Sequence, residues 1–177
     1  MGRASKPGKA MLFCSVLYNI EAPVDQVIHT LTREFGETIL STEPMEFTYT
    51  DYYHQEMGKH LYRVILAFSN LVERDALPDI KTHTNEIENT YLKEGRRQIN
   101  LDPGLMTLEN ICLATTKPYS HRMYLRKGIW AEITLIYTGN SYRKLEWTYP
   151  DYASDELVSL FNRLREDYKR RVQCLQA

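Results

Sequence analysis

Residues Thr115 to Arg122, TTKPYSHR, crowd two threonines, a lysine, a serine, a histidine and an arginine into eight consecutive positions. Hydroxyls, an ammonium, an imidazole and a guanidinium are the donor set that holds phosphate or carboxylate oxygens. Arg96 and Arg97 stand a short way upstream and can add guanidinium groups from a neighbouring strand. The expectation is an anion site built from Arg97, Lys117, His121 and Arg122, with Arg122 or Arg97 as the bidentate member. Alternation limits it, because adjacent residues of a strand face opposite sides unless the strand begins after them or is bulged. The competing reading is a solvated polar loop. Asp102, in NLDPG, reads first as a residue that fixes a turn through its own backbone.

A second group is acidic and aromatic. The segment FTYTDYYHQEMG carries Asp51 and WTYPDY carries Asp151, both among tyrosines, of which the chain has 13. Tyrosine rings pack while their hydroxyls bond, so such clusters suit ligand pockets, interfaces and polar-edged cores alike. Glu132 stands in the apolar run IWAEITLIYT, where a carboxylate is costly unless it is paired or on an open face. Asp51, Glu132 and Asp151 are therefore the candidates for handling a proton or for holding a metal, with Mg²⁺ as the possible cofactor.

Other motifs fail on spacing. In GRASKPGKA five residues separate Gly2 from Gly8, where a phosphate loop needs four, and neither Ser nor Thr follows Lys9. His54 and His60 are six apart, which fits neither a one-turn helical pair nor a compact zinc loop. Ser120 beside His121 is adjacency alone and makes no nucleophile–base pair.

The elements that must position these residues follow from hydrophobic period and turn chemistry. AMLFCSVLYNI reads as a buried first strand, preceded by a flexible tail over residues 1–9. APVDQVIHTLTREFG is an amphipathic helix, ETILSTEPMEFTYT a strand bent by Pro44, and LYRVILAFSN another strand. A second helix runs through Leu77, Ile80, Thr84, Ile87 and Tyr91, and RRQINL is a short strand halted by Asp102-Pro103-Gly104. The order β-α-β-β-α-β is that of a ferredoxin-like α+β fold. A β-rich extension follows with a hairpin at Gly139-Asn140, then a final helix capped by Ser154 that buries Leu157, Phe161, Leu164 and Tyr168. Residues 10–177 are expected to form a single α+β domain.

Composition bounds the partners. The 22 Lys and Arg against 23 Asp and Glu leave a formal charge of −1, so no overall field draws the chain to nucleic acid or anionic lipid, and nucleic acid is an unlikely partner. No stretch reaches the roughly 18 apolar residues of a membrane helix. Cys14, Cys112 and Cys174 are odd in number and far apart, which argues against a disulfide framework and for a reducing cytoplasm. The sequence leaves the oligomeric state open.

The strings FTYTDYYHQEMG, INLDPGLMTLENICLATTKPYSHRMYL, AEITLIY and WTYPDY together resemble those of a bacterial family catalogued as domain-of-unknown-function family 4416, over about Met11 to Tyr168. Some members carry a GTP-binding label, which the NLDP string invites and which no phosphate loop here supports. The resemblance implies a cytoplasmic, single-domain bacterial protein and assigns no catalytic residue. Two readings of function remain. In one, the chain binds a phosphorylated small molecule or nucleotide through the basic stretch, with tyrosines flanking the ligand. In the other it is a non-enzymatic protein-interaction module whose tyrosine-rich segments form the contact surface. Convergence of donors and acids on one concave pocket favours the first, and tyrosines spread over a flat face favour the second.

Overall fold

The computed structural model describes residues 2–176. Its architecture follows from the first strand, β1 (Ala10–Asn19), which is apolar on both sides. Leu12, Cys14, Val16 and Tyr18 enter one hydrophobic cluster, and Met11 and Phe13 enter another. A strand of this kind must be covered on both faces. The first face is covered by α1 (Val24–Phe35) and α3 (Leu77–Thr90), which bury Val27, Leu31, Leu77, Ile80 and Ile87. On the second lies the C-terminal helix α4 (Asp155–Gln176), which buries Leu157, Leu160, Phe161, Leu164 and Tyr168. The Ser154 hydroxyl accepts from the Leu157 amide at 3.3 Å and so caps α4 as its sequence predicts.

Among the described residues nine strands form one sheet in which every pair is antiparallel. In chain order the others are β2 (Thr38–Ser41), β3 (Met45–Glu46), β4 (Leu61–Val72), β5 (Ile99–Met106), β6 (Asn110–Thr115), β7 (Met123–Arg126), β8 (Ile129–Thr138) and β9 (Ser141–Lys144). Across the sheet they run β2-β4-β1-β5-β6-β8-β7, with β3 also on β4 and β9 also on β8. The break between β2 and β3 falls at Pro44, where a proline cannot donate to the ladder. The β8–β9 hairpin turns on Gly139 and Asn140, both at positive φ, the requirement of the tight turn whose twist matches its strands. A short helix has no counterpart in the sequence reading. The single-turn helix α2 (His54–Met57) seats Met57 against Leu17, Phe47 and Leu61 in a third, smaller cluster.

One expectation is corrected. RRQINL does not stop at Asp102-Pro103-Gly104, because β5 continues through all three residues to Met106. The reason lies in what β5 pairs with. It is matched to β1 from Ile99 to Met106, but to β6 only from Gly104 to Met106. Alternate residues of a strand turn their backbone groups to the same edge, and those of Leu101 turn away from β1. Pro103 therefore has its missing N–H on the unpaired edge, where it costs no ladder bond. At Gly104 an added Cβ would collide with the Phe13 ring and crowd Leu113, so a glycine lets strand and ring approach. The sheet consequently opens between the first half of β5 and the end of β6.

Candidate functional site

At that opening, charged side chains replace a strand. The Leu101 amide donates to Glu88 Oε1 at 2.7 Å, and the Leu101 carbonyl accepts from Lys81 Nζ at 2.6 Å. Both side chains come from α3 and are nearly buried, with Lys81 at 5% and Glu88 at 6% exposure. Burying an ammonium and a carboxylate is costly unless each finds partners. Lys81 also donates to Asp102 Oδ1 at 3.2 Å and lies 3.9 Å from Glu88. Asp102 Oδ2 accepts from Asn100 Nδ2 at 2.7 Å, and Asn100 Oδ1 accepts from Arg97 Nη1 at 2.8 Å. Arg97 closes the ring at 3.6 Å from Glu88. Burial pushes the Glu88 carboxyl above the ordinary carboxylate range, against the pull of Lys81.

A cavity of about 340 Å³ opens beside this ring on the sheet face that carries α4. Its walls include Phe47, Tyr49, Tyr52, Tyr53, Tyr149 and Tyr152, with Asp102, Lys117 and Glu132 among the polar residues. Arg63 lines it from β4, on the same face as Ile65 and Ala67. Its guanidinium lies 4.6 Å from the Phe47 ring centroid and 5.5 Å from that of Tyr152. It is ion-paired through Nη1 with Asp151, and both partners are buried. Among the described residues Arg63 Nε and the Tyr152 hydroxyl are buried without a hydrogen-bond partner, Ser15 being the polar neighbour of the latter. Such orphaned groups ask for an explanation, and a ligand is one.

Residues 145–154 reach the cavity because they are tied to the sheet. Thr148 Oγ1 donates to the Thr134 carbonyl at 2.5 Å and accepts from the Leu145 amide at 2.8 Å, while Trp147 Nε1 donates to the Ile133 carbonyl. Burial raises the phenol of Tyr53 well above its ordinary range, helped by the charge of Asp102, and burial raises Tyr149 and Tyr152 as well. All three remain neutral donors near pH 7.

Of the donors singled out in sequence, Lys117 lies at this cavity. Its ammonium donates to the Tyr52 hydroxyl at 2.6 Å and stands 4.0 Å from the ring centroid. Among the described residues it has no carboxylate partner, unlike Arg63. His121 and Arg122 do face the same way, because β7 begins after them at Met123. What they meet is Glu132, at 3.0 Å from His121 Nε2 and 2.8 Å from Arg122 Nε. Arg122 spends its other nitrogens on the Lys117 carbonyl and the Tyr149 hydroxyl, and His121 stacks on Trp147. Arg97 grips both carboxylate oxygens of Glu56 at 2.7 and 2.5 Å. The four expected donors are thus not brought to one point.

The three acids also part company. Glu132 and Asp151 line the cavity, each held by an arginine. Asp51 has an exposed side chain and lies 3.1 Å from His54. Among the described residues no three of His, Cys, Asp and Glu are grouped as metal ligands. Asp102 is not a turn residue either: it sits within β5 with its carboxylate in the opening.

A second cavity, also about 340 Å³, lies on the α3 side and shares Tyr53, Asp102 and Lys117 with the first. Its other walls are polar: Lys81, Asn85, Glu88, Asn89, Arg97, Asn100 and Thr116. Sequence reasoning missed Arg63, Lys81 and Glu88. For the last two a signal existed, since Lys81 follows Leu77 by four and Glu88 follows Thr84 by four, on the helix's buried stripe.

Among the described residues no helix is long and apolar enough to cross a membrane. Comparison with curated proteins and with solved structures found no match. The family model described as Domain of unknown function (DUF4416) matches residues 8–168, a span that holds every residue of both cavities, and the chain belongs to that family.

Proposed function

We propose that the opening between β5 and β6 binds a small molecule that joins a flat aromatic group to one anionic group, a phosphorylated compound of the nucleotide class. The observation that carries this reading is the convergence of the tyrosine-rich segments and Lys117 on one concave cavity. Rings stacked against Tyr52, Tyr53 or Tyr149 supply apolar contact, and Lys117 supplies the charge. The cavity lies within the range of small-molecule sites. Arg63, Glu132, Asp151 and Asp102 are already matched by opposite charges, so one lysine is left for one anionic group. That favours a monophosphate over a triphosphate. No metal ligand is assigned, because Glu132 and Asp151 are held by arginines.

The fold supports this placement. We read β1, β2, β4 and β5 with α1 and α3 as a ferredoxin-like arrangement to which β6–β9 and α4 add the second wall of the cavity. Three unbonded cysteines support a reducing compartment. The interaction-module reading loses ground, because Tyr52, Tyr53, Tyr149 and Tyr152 line a cavity rather than spread over a plane. The test is a thermal-shift screen of nucleoside monophosphates, sugar phosphates and inorganic phosphate, with and without Mg²⁺. A ligand that binds only the folded chain raises its melting temperature, by an amount set by concentration over Kd. The reading expects nucleoside monophosphates to do so without needing Mg²⁺. A screen in which none of them shifts the transition refutes it.

A further inference from the structure

The two cavities meet at Tyr53, Asp102 and Lys117 but differ in chemistry. The chamber on the α4 side is rich in aromatic rings. That on the α3 side is walled by amides, carboxylates and ammonium groups, and Thr116 adds a hydroxyl. Asn85 and Asn89 stand one turn apart on α3, and among the described residues their side-chain amides make no hydrogen bond, whereas Asn100 is fixed by Arg97 and Asp102. Two unengaged amides beside an oriented carboxylate make a set of donors and acceptors for neutral hydroxyl groups. Lys117 stands at the junction, where it can hold an anionic group that has a ring on one side and a hydroxylated group on the other.

We propose that the two chambers hold one bipartite ligand, a phosphodiester that joins an aromatic nucleoside to a second, hydroxyl-bearing group such as a sugar or another nucleoside. This rests on the function proposed above and narrows its ligand class. A phosphodiester carries a single negative charge, and among the described residues lining the two chambers a single cation, Lys117, is left to meet it. A pyrophosphate-linked ligand brings a second charge into an opening already edged by Glu88 and Asp102, where like charges repel. The built opening in the sheet supports the same conclusion. Lys81 and Glu88 complete the edge of β5 in place of β6, so the residues between the chambers are held apart by design of the fold rather than by a missing strand. Asp102, held by Lys81 and Asn100 and shared by both chambers, is positioned to accept from a hydroxyl next to the phosphate.

The experiment titrates adenosine and guanosine 5′-monophosphates, and the dinucleoside monophosphates ApA and GpG, into the full chain and into an Asn85→Ala, Asn89→Ala double variant by calorimetry. Melting temperature and circular dichroism confirm that the variant folds. Wild type is expected to bind at least one dinucleoside monophosphate more tightly than the matching mononucleotide. The double variant is expected to lose about tenfold for the dinucleoside, the worth of two neutral hydrogen bonds, and nothing for the mononucleotide. Mononucleotide binding with no gain for the dinucleoside overturns the bipartite ligand and leaves the simpler site standing. Equal losses for both ligands overturn it too, because Asn85 and Asn89 would then touch the shared part. Binding of neither class overturns both readings.

Discussion

Replacing Asp151 by Asn strands the Arg63 guanidinium inside the wall of the first cavity. Arg63 is 8% and Asp151 5% exposed, so water does not take over the lost contact. Removing one member of a buried ion pair costs about 3–5 kcal/mol, most of it for the charge left behind. Phe47 and Tyr152 flank the guanidinium at 4.6 and 5.5 Å in wild type already, so their cation–π contacts do not offset the loss. The expectation is therefore a loss of about 3–5 kcal/mol, which for a chain of 177 residues lowers the melting temperature by on the order of 10 °C. Arg63→Met combined with Asp151→Leu removes both charges and is expected to regain most of that stability. Urea unfolding of wild type, Arg63→Met, Asp151→Leu and the double variant measures each corner of the cycle, with Asp151→Asn measured beside them. A loss below about 1 kcal/mol for Asp151→Asn, the size of a surface pair, would refute the claim that this pair is buried and structural.

Further perturbations probe the rest of the account. Lys81→Met removes the donor to the Leu101 carbonyl and the main charge opposing burial of Glu88. Because the folded carboxyl of Glu88 already titrates above its ordinary value, its contribution is intact below about pH 4.5 and is lost as pH rises through the folded pKa. Without Lys81 that loss grows, so the variant is expected to be more weakened at pH 7 than at pH 4 in urea unfolding, and equal losses at both would count against the ring. Thiol labelling of the native chain near pH 7 should modify the exposed Cys174 quickly and spare buried Cys14 and half-buried Cys112, the latter with its thiol raised by burial to about 11; three fast-reacting thiols would contradict the packing. Alkaline titration gives a third check. Tyr53, Tyr142, Tyr149, Tyr152 and Tyr168 all have raised phenol pKa values from burial, so their stabilisation is complete below about pH 10 and declines above it, as the unfolded chain ionises first. Tyrosinate absorbance should then rise together with unfolding, and smooth titration without unfolding would overturn this.

What sequence makes legible here is local. Gly139-Asn140, Ser154 and the continuous apolar run of β1 each act through their immediate neighbours, and the hairpin, the cap of α4 and the doubly covered strand follow. Glu132 was visible as a charge out of place in an apolar strand, and it proves to be paired with His121 and Arg122. The density of donors in TTKPYSHR was visible too, but not its consumption: Glu132 enters from β8 and Tyr149 from the segment before α4. Arg63 inside LYRVILAFSN gives no local sign that its partner is Asp151, 88 residues on. Asp102-Pro103-Gly104 misled because turn chemistry was the local rule, whereas an unpaired strand edge completed by Lys81 and Glu88 is a tertiary arrangement.

The central claim is that Lys117 anchors the anionic group of an aromatic ligand within the tyrosine-lined cavity. It is tested most directly by calorimetric titration of the nucleoside monophosphate giving the largest thermal shift into wild type and into Lys117→Ala, at low and at raised salt. A charge-assisted hydrogen bond contributes about 1.5–3 kcal/mol, so the variant is expected to bind roughly ten- to a hundredfold more weakly and to lose most of the salt dependence of wild type. Equal affinity of the two folded proteins at both salt concentrations would contradict the account and place the anion elsewhere.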